Sequence, residues 1–172
     1  MHGLSQHDLA PIGLQGRFTM DLYRHGRLVE RTDEPNLVVL GAGRILALLL
    51  GTGAAGAGLT QLGVGSDMTL AAFGNTSLIQ PFLRPLGAAD VSVPGKVTFS
   101  FELDSGEANG LAIGEFGLFS AAGVLFARKT RLFALIQKDA SVSFTGTWTI
   151  DFTGACYGDA ARNQHVPGRV RI

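Results

Sequence analysis

The chain has 172 residues and a formal charge of zero, from 14 basic and 14 acidic side chains, so neither a nucleic-acid surface nor a polybasic membrane patch is expected. Charged residues make up only 16% and glycines number 24, about twice the usual glycine share. Such a chain needs another means of staying soluble, and subunit contact is one.

Residues 1–13 hold two histidines and a proline without a sustained period, which reads as an extended arm, and lack the basic-then-apolar order of a secretory signal. From Leu14, the residues Phe18, Met20 and Leu22 alternate with Arg17, Thr19, Asp21 and Tyr23, the period of a half-buried strand. His25-Gly26 makes a two-residue turn into a second strand over 27–32. Glu34-Pro35-Asn36 is then expected to break the sheet. A helix over 41–50 follows, apolar on nearly every side except at Arg44, and such a helix is expected to be buried. Residues 45–66 carry no formal charge, but six of them are glycine, which rules out a membrane helix.

Residues 54–58 read as a flexible connection and 59–65 as a short inner strand. A loop follows, with one helical turn expected at 76–78. Residues 79–91 read as a strand that Pro81 and Pro85 push to a sheet edge. Val97, Phe99, Phe101 and Leu103 alternate with polar residues in a clear amphipathic strand. Residues 111–119 and 124–132 form a hairpin around 120–123. If that loop has four residues, Phe119 pairs with Val124 and Glu115 lies opposite Arg128 as a structural ion pair. The same register sets Gly117 beside the ring of Phe126. Residues 141–152 (S-V-S-F-T-G-T-W-T-I-D-F) put Val142, Phe144, Trp148, Ile150 and Phe152 on one face and hydroxyls on the other, with Gly146 the gap in the apolar row. That strand is the expected centre of the core.

Roughly eight strands and no βαβ alternation give a mainly β class: an antiparallel β-sandwich, jelly-roll-like, with one buried α-helix and extended terminal arms. The expected organisation is an arm over 1–13, a single domain over 14–153 and an arm over 154–172. In the last, Arg162, Arg169 and Arg171 suit carboxylates on a partner, and Ile172 adds an apolar anchor. Docking of both arms on neighbouring subunits is weighed against simple disorder of chain ends.

The motifs that would carry chemistry fail on context. Residues 51–56 fit G-x-G-x-x-G, but a helix precedes them where a dinucleotide site needs a strand. Pro94-Gly95-Lys96 lacks the upstream glycine of a phosphate loop. His2, His7, His25 and His165 share no metal-ligand spacing. Cys156 is the only cysteine, which excludes an intrachain disulfide and a thiolate cluster, and no basic neighbour activates it. Glu102 and Asp104 lie on an outer strand face, where carboxylates are solvated charge. Asn75-Thr76-Ser77 matches a glycosylation sequon but stands without a secretion signal. No cofactor, no metal and no enzymatic activity are expected.

Three blocks taken together carry a resemblance: E-P-N-L-V-V before a small helix, I-G-E-F-G-L-F with G-V-L-F-A-R-K, and the strand at 141–152. The chain resembles small tailed-bacteriophage virion structural proteins of tail, tail-fibre or collar type, over roughly residues 14–152. The resemblance implies a non-enzymatic component of a tail, collar or baseplate. Its partners would be copies of itself and other virion proteins, as a homo-oligomer located in the virion, without nucleic acid or membrane. A capsid decoration (cement) protein is the nearest alternative. A carbohydrate-binding β-sandwich is the alternative of another class, with Tyr23 and Tyr157 as its only plausible platforms.

Overall fold

The structure, a computed structural model, describes residues 13–132 and 134–153. Its strands are β1 (Gln15–Arg24), β2 (Arg27–Val38), β3 (Leu59–Gly65), β4 (Phe82–Pro85), β5 (Ala89–Asp90), β6 (Lys96–Leu103), β7 (Ala112–Ile113), β8 (Glu115–Ser120), β9 (Leu125–Thr130), β10 (Ile136–Gln137) and β11 (Val142–Asp151). The helix α1 (Gly41–Thr52) ends where Gly53 turns left-handed at φ 61°, a conformation glycine adopts without a Cβ penalty. The fold is mainly β: among the described residues nine strands form one antiparallel sheet in the order β4-β3-β8-β9-β2-β1-β11-β6-β5, with β7 and β10 paired separately.

That sheet is curled, and its two edges come from one stretch of chain. Leu86 N–H donates to Thr60 O beside β4, and the next residue, Gly87, donates to Ser100 O beside β5. The chain therefore steps from one edge to the other between adjacent residues. Pro81 precedes β4 and Pro85 is its last residue, where an outer strand tolerates a missing N–H.

The inner faces meet in an aromatic cluster. Phe18 of β1 lies 4.8 Å from Phe116 of β8, 5.4 Å from Phe101 and 5.2 Å from Trp148. Phe144 of β11 lies 5.7 Å from Phe116. Since β1 and β11 are not neighbours of β8 in the sheet, these contacts cross the curl and bind its halves. Gly146 is the gap in the β11 row because the Phe101 ring and Thr19 O occupy the place of a side chain there.

Four expectations are corrected. β2 does not stop at Thr32 but runs through Glu34-Pro35-Asn36 to Val38. Pro35 is accommodated because β2 bonds β9 only through Leu37 and Val38, so no partner needs its N–H on that side. Beyond those two pairs the seam between β2 and β9 is spanned by side chains. Lys129 pairs with Glu34, and both Arg131 Nη atoms lie 2.7 and 2.9 Å from the Glu30 carboxylate.

Second, α1 is not buried: Ala42 and Ile45 face the core, while Leu50 is 88% exposed and Leu48 and Leu49 are also open. Among the described residues only the stripe with Ala42 and Ile45 is buried. Third, residues 76–78 form no helical turn; Leu78 instead packs over Gly63 and Gly117. Fourth, 54–58 is not a loose link, since a 3-10 turn at Ala55–Ala57 buries Ala57. The two-residue turn is a mirror-image one, with His25 at φ 50° and Gly26 at 73°.

Candidate functional site

The outer face of β3, β8 and β9 is covered by a strap, residues 66–79, and the chemistry-bearing side chains lie beneath it. Four glycines give the strap its flat bed. A Cβ on Gly65 would meet Glu115 and Ile79 O, one on Gly114 would meet Asp67 O, and ones on Gly63 and Gly117 would meet Phe119 and Leu78. Val39, Leu78, Phe119 and Leu125 form a second small core there.

Glu115 and Arg128 meet under the strap, with Arg128 Nε 2.7 Å from Glu115 Oε2 and both side chains almost wholly buried. The expected register is overturned. Arg128 lies opposite Gly117, and Glu115 lies opposite Thr130. A bulge between Leu118 and Phe119 inserts Phe126 as an extra residue, so Phe119 faces Leu125 rather than Val124. Phe126 and Ala127 consequently both enter the main core, as a bulge permits. Phe126 does not cover Gly117; Phe119 and Leu125 do. The ion pair forms on the diagonal, which a long arginine reaches.

The pair also holds the strap. Glu115 Oε1 accepts from the N–H of Ile79 at 2.6 Å and of Asp67 at 3.3 Å. Arg128 Nη1 donates to Asn75 Oδ1 at 2.9 Å, and Nη2 donates to Asp67 Oδ2 at 2.8 Å. Asn75 Oδ1 also accepts from the Ala72 N–H, and Leu40 N–H at the start of α1 donates to Phe73 O. All three guanidinium nitrogens and both Glu115 oxygens are thus engaged. The arrangement fixes a surface segment to a sheet. Asp67 and Asn75 were missed by sequence reasoning, since they lie 61 and 53 residues from Arg128. The only local hint was Asp67 as the lone charge in a neutral stretch.

Lys138 is a second buried cation outside the expected set. Its Nζ donates to Ser105 O at 3.1 Å, Asn109 Oδ1 at 2.9 Å and Asp139 O at 3.1 Å. Burial pushes its pKa down, with Asp139, Glu107 and Asp104 opposing. It staples the turn after β6. His25 sits in its turn with its N–H on Ser141 O at 2.7 Å. Arg162, Arg169, Arg171, Ile172, Cys156, Tyr157, His2, His7 and His165 lie outside the described residues. Among the described residues no three His, Cys, Asp or Glu gather as metal ligands.

The outer face of β1, β11 and β6 is polar. Thr19 meets Thr147 at 2.7 Å and Thr98 meets Thr149 at 2.9 Å. Ion pairs of Arg17 with Asp33, Arg31 with Asp21 and Lys96 with Asp151 surround them. The Thr153 hydroxyl, Lys96 and the Thr153 N–H bring the Asp151 carboxyl down to about 2. Asp67 is held below the ordinary range by the Thr69 hydroxyl and N–H first and by Arg128 after them. A carboxyl lowered in the fold stabilises it above the unfolded pKa and loses that contribution as pH falls through the folded value. Unfolding midpoints in urea should therefore drop between about pH 4 and pH 2, and Asp151→Asn should flatten that slope.

Comparison with protein-family models, curated proteins and solved structures finds no match to this chain.

Proposed function

We propose that this protein is a non-enzymatic structural component of a tailed-bacteriophage virion, in the tail, collar or baseplate, built to work inside an assembly. The observation that carries this reading is α1, a helix apolar on almost all sides whose Leu48, Leu49 and above all Leu50 stay exposed among the described residues. Low charge and the resemblance of three sequence blocks to small virion proteins support it. In this reading the curled sheet acts as a jelly-roll-like sandwich, with one outer face wet and charged and the other carrying the strap. The charged pairs around the Thr ladder make that wet face costly to cover. A capsid decoration protein would be built in the same way.

A carbohydrate-binding module is the reading of another class. What favours it is an open groove of about 900 Å³ lined in part by Ser100, Thr145, Thr147, Glu102 and Arg84. Its one ring, Phe101, is turned into the core, whereas sugar platforms present their rings. Light scattering together with immobilised-glycan chromatography separates the two. A defined oligomer that flows through the glycans is expected; a monomer retained on them would overturn the assembly reading.

A further inference from the structure

Lys138 is more than a staple. Its side chain is buried, and its three acceptors, Ser105 O, Asn109 Oδ1 and Asp139 O, are all neutral oxygens. The nearby carboxylates are engaged elsewhere: Glu107 accepts from Arg84 at 2.7 Å and from the Asp104 N–H at 2.8 Å, and Asp139 accepts from Ser141. Burial without a bonded counter-charge favours the neutral amine, which is the nucleophilic form. Asp139, Glu107 and Asp104 oppose that shift from a distance, yet the pKa remains lowered.

The backbone holds the amine against one particular side chain. β7 and β10 pair through Ile113 with Ile136 and Ala112 with Gln137, and the ladder continues outward. Lys138 N–H donates to Leu111 O at 3.0 Å, and Gly110 N–H donates to Lys138 O at 2.9 Å. Asn109 follows at once, between Ala108 at φ 52° and Gly110 at φ 90°. A left-handed residue other than glycine is uncommon and tends to mark a constrained site. Here it delivers the Asn109 amide to Lys138 Nζ at 2.9 Å across 29 residues of chain. Fixed juxtaposition of this kind replaces an encounter between two free groups.

We propose that Lys138 and Asn109 form an intramolecular isopeptide bond, a covalent clip between the turn after β6 and the turn before β11. When the amine is neutral, its two hydrogens remain on Ser105 O and Asp139 O. The lone pair then takes the third direction, toward the Asn109 amide, whose carbon is one bond from the oxygen already contacted. Nζ attacks that carbon, the bond from carbon to the amide nitrogen breaks, and a proton from Nζ passes to the departing nitrogen. One ammonia leaves and no oxidant is needed. Asn109 is exposed, so the ammonia has a way out. The clip is independent of the assembly reading. It closes residues 110–137, and with them β7, β8, β9 and β10, into a covalent ring that tension on the rest of the chain bypasses.

The test is denaturing mass spectrometry of the full chain, aged at mildly alkaline pH, followed by tryptic digestion. Wild type should be lighter than its sequence by one ammonia, whereas Lys138→Arg and Asn109→Ala should have their full sequence masses. The wild-type digest should contain residues 97–128 joined to residues 132–162, with the cut after Lys138 missing. Should either variant fail to fold, the wild-type digest still decides. A wild-type chain of full mass would overturn the clip. So would loss of ammonia with residues 97–128 unlinked, which is a cyclic imide at Asn109-Gly110, or conversion of Asn109 to aspartate by water.

Discussion

Arg128→Met should be the most damaging single substitution beneath the strap, lowering stability by about 3–5 kcal/mol. Methionine keeps much of the volume, so the loss is electrostatic rather than a cavity. Without the guanidinium, the Glu115 carboxylate stays fully buried with only the amides of Ile79 and Asp67 to face it. Asp67 then adds a second negative charge to the same place. Glu115→Gln should cost less, because it removes the deepest charge, leaves the strap amides an acceptor and leaves Arg128 paired with Asp67. Arg128→Lys should rescue little, since one ammonium cannot replace a fork that reaches Glu115, Asn75 and Asp67 at once. Urea unfolding of the three variants gives the order. Arg128→Met proving milder than Glu115→Gln would show that the strap is held by its apolar contacts instead.

Phe18→Ala should match that effect by a different route, at about 3–5 kcal/mol. Its ring touches Phe101, Phe116 and Trp148, so it joins the β1 half of the curl to the β8 half. The rings around it are held by different strands and close the gap only in part. Phe18→Leu should recover most of the loss, by restoring volume without the ring geometry. Thermal or urea unfolding checks both, and equal losses in the two variants would mean that ring packing, not volume, carries the effect.

Much of the fold was legible because period-2 alternation is a direct record of burial. β1, β6 and β11 emerge from it with their faces correct, and glycine placement marks the end of α1. What escaped was information held by neighbours. Pro35 reads as a breaker, yet β2 passes through it because β9 diverges there. The composition of α1 says apolar and cannot say by whom it is covered. Glu115 and Arg128 meet, but on a diagonal created by a bulge that the loop length conceals. Asp67 and Asn75 reach the same arginine from a segment with no period at all, so only the folded chain brings them there.

The pairing of β1 with β11 sets the order in which this protein comes into being. Thr19 and Thr147 touch across 128 residues of chain, and every rung of that ladder is comparably remote. During synthesis β1 leaves the ribosome with β2 as its only available neighbour, and its other edge stays open until nearly the whole described chain has been made. Loop closure on this scale precedes any reward from the contacts it allows, which makes folding slow. Through that interval the neutral stretch from α1 to β4 is already in solution, so refolding yield should fall steeply with protein concentration, as association competes with closure of the curl.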